Sequence, residues 1–165
     1  MSIEYADTLH TLAQIAVALM GFSGIVVVFG ERTASKWTAE ESMSLYALLA
    51  PGVTVLFCSF VPILLSAVLE EPVVSWRISN GVLGVLHAGN LAGFLISCWK
   101  TRAKITLGQR SNIVFAAMVI AAHFLSAAGL IPWVEFVFIL GLLQQLWVSV
   151  HNFFLLFRAN VGAAL

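Results

Sequence analysis

Long apolar runs alternate with short polar breaks along the whole of this chain. The first run extends from about Leu9 to Phe29 and closes on Gly30-Glu31-Arg32. The others span about Ser42–Leu69, Trp76–Trp99, Asn112–Ile131 and Trp133–Phe157. Crossing a hydrocarbon core of about 30 Å takes roughly 20 residues of helix, so five such runs use up nearly all of the 165 residues. The pattern predicts an all-α, polytopic transmembrane bundle of five spans, a single domain over residues 1–165 with no room for an extramembrane one.

The breaks carry their own signals. Glu4 and Asp7 precede the first run with no lysine or arginine, the reverse of a cleavable signal's basic leader. Thr38-Ala39-Glu40-Glu41 fits a capping box that satisfies orphan amides at the start of the second helix. A helix from Thr38 to Leu69 would be about 48 Å long, so it must protrude, tilt or bend, and Pro51 and Pro62 offer the bends. Pro72 suits the first turn of the third helix. Pro132 predicts a tight hairpin between the last two.

Charge then sets an orientation. Charged residues are 10% of the chain and the mean hydropathy is +1.00. Arg32, Lys36, Lys100, Arg102, Lys104, Arg110 and Arg158 all fall on one side of the predicted topology, and Arg77 alone on the other. Basic residues collect in cytoplasmic loops, which predicts an outside N-terminus and a cytoplasmic C-terminus. Trp37 and Trp99 fall at the inner boundary and Trp76 and Trp133 at the outer one, where indole rings settle. Eight basic and eight acidic residues cancel, leaving no field to attract nucleic acid. Cys58 and Cys98 lack paired spacing, so neither a disulfide framework nor a zinc motif is expected.

No Asp, Glu, Lys or Arg falls within a predicted hydrocarbon core, unlike most pumps and proton-coupled transporters. The interior polarity is neutral or weakly basic: His87 and Asn90 on the third span, His123 on the fourth, Gln144 and Gln145 on the fifth. His151 and Asn152 lie about 9 Å nearer the cytoplasm. Asn80 extends the His87 stripe, and His10 and Gln14 share a face of the first span. Three readings compete for this layer. As interhelical glue, each hydrogen bond contributes about 0.6 to 2 kcal/mol. As a haem b site, His87 and His123 would reach the iron from opposite faces; a metal held by His87, His123 and Cys58 is a weaker variant. As a polar path or ligand site, the lining would be His87, Asn90, His123, Gln144 and Gln145, with the pair His151/Asn152 at its inner exit.

Smaller signals point to packing. Gly21-Phe22-Ser23-Gly24 matches the nucleophile string of rhomboid intramembrane proteases, yet no span here pairs a histidine with the glycines that motif expects, and no catalytic residue is assigned. Ala13, Ala16, Gly21 and Gly24 read instead as a small-residue face. Gly81, Gly84, Gly89 and Gly93 make the third span the most glycine-rich and predict that it is central; Gly89-x-x-x-Gly93 is either an internal contact or a seam between copies. The mid-depth Trp147 is expected to find an N–H partner in the polar layer.

Residues Leu9 to Val28, Leu-His-Thr-Leu-Ala-Gln-Ile-Ala-Val-Ala-Leu-Met-Gly-Phe-Ser-Gly-Ile-Val-Val-Val, followed by a short polar loop with Trp37, resemble a group of small uncharacterised bacterial membrane proteins. The resemblance covers the first helix and the start of the second. It implies a bacterial inner membrane and carries no activity. The expectation for function is a structural or interaction component of that membrane, alone or as a homo-oligomer, with no cofactor required. A haem- or metal-binding redox subunit and a small channel or transporter subunit are the alternatives.

Overall fold

The computed structural model describes residues 5–29, 38–102, 105 and 107–161. They form six helices and no strand: α1 Ala6–Phe29, α2 Ala39–Cys58, α3 Val61–Ser66, α4 Pro72–Thr101, α5 Leu107–Ala127 and α6 Val134–Val161. Taking α2 and α3 together, five stretches are long and apolar enough to cross a membrane. Arg32, Lys36, Trp37 and Lys104, which carry part of the orientation expectation, lie outside the described residues.

Local chemistry explains the helix ends. The Glu41 amide donates to Thr38 Oγ1 at 3.1 Å, and the Thr38 amide donates to Glu41 Oε2 at 2.7 Å, closing the capping box. Pro51 sits inside α2 without ending it, whereas the helix stops at Cys58 and restarts as α3 with Pro62 in its first turn. Pro62 has no N–H to continue the ladder. Pro72 opens α4. At the far end of α5, Gly129 takes a left-handed φ of 78°, which lets the Leu130 amide bond the Leu125 carbonyl at 2.9 Å. The Arg77 guanidinium covers Gly129, setting a positive charge against the negative end of the α5 dipole.

α2, α4, α5 and α6 make a four-helix arrangement, and α1 packs on α2 and α6. Gly52 of α2 leaves space for Met20 of α1 and Ser149 of α6. Leu9, Leu12, Val55, Trp76, Leu83, Phe138 and Leu142 belong to the apolar core. The third span is not the central one, contrary to its glycine content: half of the most apolar stretch of α6 is buried, against 22% for α4. Glycines on several faces of α4 serve different ends. Gly84 faces His123, Gly93 faces Tyr46, and Gly89 meets nothing. The α1 small-residue face also divides, with Ala13 and Ala16 buried but Gly21 and Gly24 exposed. Ser23 is buried and donates to its own helix at Leu19 O, 2.6 Å away. His10 and Gln14 are both exposed. Outside the core, Phe22, Leu64, Val85 and Met118 are exposed, an apolar surface too extensive for a water-soluble monomer.

Candidate functional site

The polar residues of α4, α5 and α6 form two different structures. The first is a closed cap in one half of the bundle. Asn80 Nδ2 donates to Trp76 O at 2.9 Å and to Val134 O at 2.8 Å. Carbonyls only accept, so the amide nitrogen must face them and Oδ1 must face His123, 2.8 Å from its Nδ1. In the neutral ring the proton therefore sits on Nδ1 and Nε2 carries the lone pair. That Nε2 is buried without a partner. The ring is gripped between two glycines: a Cβ on Gly84 would come 3.1 Å from His123 Cβ, and one on Gly141 would overlap the imidazole at Nε2 and Cε1. Glycine at both positions is what lets a histidine occupy this crossing.

The second structure is a cavity of about 170 Å³ between α2, α4, α5 and α6. It begins at His87, the midpoint of α4, and reaches Gly108 and Gln109 in the first turn of α5. Of the residues singled out above, His87, Asn90, Gln144, Gln145 and His151 line it. His123 does not; it stands behind His87, with ring centroids 5.9 Å apart. Asn152 lines it beside its neighbour His151, and Asn112, Gln109 and Tyr46 join the lining as residues the sequence does not point to. Asn112 had marked only the start of a span, because a polar residue at the edge of an apolar run reads as a boundary.

Partners divide the lining into satisfied and unsatisfied groups. Asn90 Nδ2 donates to Thr54 Oγ1 at 2.9 Å, joining α4 to α2. Gln144 Nε2 reaches Asn112 Oδ1 at 3.3 Å, joining α6 to α5. Asn152 bonds Val148 O of its own helix. In contrast, His87 Nδ1, Gln144 Oε1 and Gln145 Nε2 are buried without a hydrogen bond of good geometry among the described residues, although His87 and Gln144 stand close enough to interact with one another. Each such group costs about 1 to 3 kcal/mol if left dry. Trp147 does not turn into this layer: it is 62% exposed, on the outer surface at the rim of the cavity.

What can this arrangement do? No lining residue among those described is charged. The residues hold hydrogen-bonding groups around a space, and the lining contains no serine or cysteine. Cys58 lies in the apolar core, and no group of three His, Cys, Asp or Glu that could hold a metal occurs among the described residues. A haem between His87 and His123 also meets an obstacle. Only His87 faces the cavity, and His123 presents one nitrogen to Asn80 and the other side of its ring to Gly141. The cavity is smaller than the 300 to 1,000 Å³ or so of a drug-sized pocket. Set against known proteins, the chain matches no family model, no curated sequence and no solved structure.

Proposed function

We propose that this chain is an integral protein of a bacterial inner membrane, N-terminus outside and C-terminus cytoplasmic, that binds a small uncharged ligand in the cavity between α2, α4, α5 and α6. One observation carries the reading: of the six buried side-chain atoms without a partner among the described residues, three, His87 Nδ1, Gln144 Oε1 and Gln145 Nε2, belong to residues lining one cavity, while Ser75 Oγ, His123 Nε2 and Ser126 Oγ lie outside it. A donor, an acceptor and an imidazole nitrogen without good protein partners are costly to bury, and a guest with matching groups offsets that cost. The uncharged lining favours an uncharged guest. The tightly bonded Asn80–His123 cap supports access from the other half of the bundle, the side bearing Lys100 and Arg110. A structural subunit is the second reading; Gly21, Gly24 and Gly89, with nothing near them, are where a second copy would approach.

Thiol chemistry tests whether the cavity admits solvent, because only a hydrated thiolate reacts quickly. With Cys58 and Cys98 replaced by alanine, Ala116→Cys places a thiol on the cavity wall and Met118→Cys places one on the apolar outer surface. N-ethylmaleimide is expected to label the first at least about ten times faster than the second. Equal inertness at both positions would remove the cavity as a binding site.

A further inference from the structure

The cavity reaches the outer surface of the bundle at Trp147, as it does at Gly108 in the first turn of α5. Gln144 bonds Asn112 of α5 while Ser149 Oγ bonds Leu48 O of α2. At 100° per residue, Trp147 therefore points away from α2, on the flank of α6 that adjoins α5. It lines the cavity and is 62% exposed on the bundle's outer surface. It also lies near the middle of α6, Val134–Val161, rather than at an end. Tryptophan ordinarily favours the ends of a span. A residue that is at once lining, outward and mid-depth marks a mouth opening sideways, between α5 and α6, into what would be hydrocarbon.

Three further observations narrow the guest. The volume of about 170 Å³ resembles that of a cavity which accepts benzene, about 150 Å³, so one six-membered ring with small substituents fits. Tyr46, Phe94 and Trp147 supply aromatic walls for a flat ring. His87, Gln144 and Gln145, each at most 3% exposed, supply unpartnered hydrogen-bonding atoms for polar groups on that ring.

We propose that the cavity takes the ring of a lipid-soluble quinone or quinol, entering between α5 and α6 past Trp147 with its apolar tail left in the bilayer. This rests on the cavity being a ligand site, as proposed above. Ring oxygens accept from the Gln145 amide and engage His87 Nδ1, and the hydroxyl of the quinol form donates to Gln144 Oε1. Binding alone is inferred, with no electron transfer.

The test uses the full-length protein in nanodiscs, a dimethoxybenzoquinone bearing a ten-carbon tail, and the same ring without a tail. Bound ring per chain is counted by its ultraviolet absorbance after separating the discs, against empty discs. The tailed probe is expected to saturate at one ring per chain and the tailless one to bind at least about ten-fold more weakly. Gln145→Leu should weaken the tailed probe by about ten-fold, and Ala116→Leu, which fills the cavity from α5, should do so without touching a polar group. Both variants are checked for an unchanged gel-filtration profile. Equal affinity of the two probes overturns the sideways route while leaving the cavity a ligand site. Uptake that never saturates, or that ignores both substitutions, overturns the quinone assignment. No binding of either ring, combined with rapid maleimide labelling of Ala116→Cys, overturns the ligand class alone; no labelling removes the cavity reading as well.

Discussion

Asn80→Leu is expected to destabilise the bundle by about 3 kcal/mol, one of the two largest effects of any single substitution proposed for this protein. Asn80 is fully buried and its side chain makes three bonds, to Trp76 O, Val134 O and His123 Nδ1. Leucine is similar in volume, so no large cavity is created. What is lost is the tie between α4, α5 and α6, and what is left is a buried His123 N–H with no acceptor. Removing both ends of a bond costs less than removing one, so Asn80→Leu combined with His123→Leu should fall short of the sum of the singles by about 1 to 2 kcal/mol. Denaturant unfolding in detergent reads these values. Additive singles would mean that Asn80 and His123 do not depend on one another.

Gly141→Ala should cost nearly as much, about 2 to 3 kcal/mol, for the opposite reason: one methyl group too many. A Cβ there overlaps the His123 ring, and that ring cannot withdraw because Asn80 holds Nδ1 and Gly84 fits closely on its other flank. The same substitution in an apolar helix elsewhere is ordinarily stabilising or neutral. Suppression identifies the cause. In a His123→Ala background only the far end of Leu83, 3.2 Å from that Cβ, remains to give way, and Gly141→Ala should cost under about 0.5 kcal/mol. Persistence of the full loss in that background would place the strain elsewhere.

Much of the fold is legible because its signals are local. Five apolar runs gave five helical stretches of crossing length, and the Thr38–Glu41 box and Pro72 opened helices where their chemistry requires. The polar layer was legible too, since His87, Asn90, Gln144 and Gln145 interrupt runs that otherwise avoid polar groups. Other features depend on neighbours that no single helix specifies. Gly141 is one glycine in an apolar run until His123 is packed against it. Matched depth set His87 beside His123, yet periodicity cannot say that the free space lies on the far side of His87. Trp147 was expected among the polar groups, but its direction follows from which flanks of α6 adjoin α2 and α5. The central place given to the glycine-rich span belongs to α6 instead, whose inner face carries large side chains such as Phe138, Leu142 and Leu146.

The Asn80-centred hydrogen bonds and the cavity make opposite predictions for the same kind of substitution, and the stability of Gln145→Leu separates a binding site from interhelical glue. Gln145 is 1% exposed and its Nε2 has no partner among the described residues. If the side chain is held ready for a guest, the ligand-free protein gains by losing it, because an unpaired polar group gives way to an apolar one of similar size. Unfolding of purified, ligand-free protein should then show Gln145→Leu to be equal to the wild type or more stable by up to about 1 kcal/mol. A loss of about 1 to 2 kcal/mol, the worth of an interhelical hydrogen bond, would contradict the account and return the layer to a purely structural role.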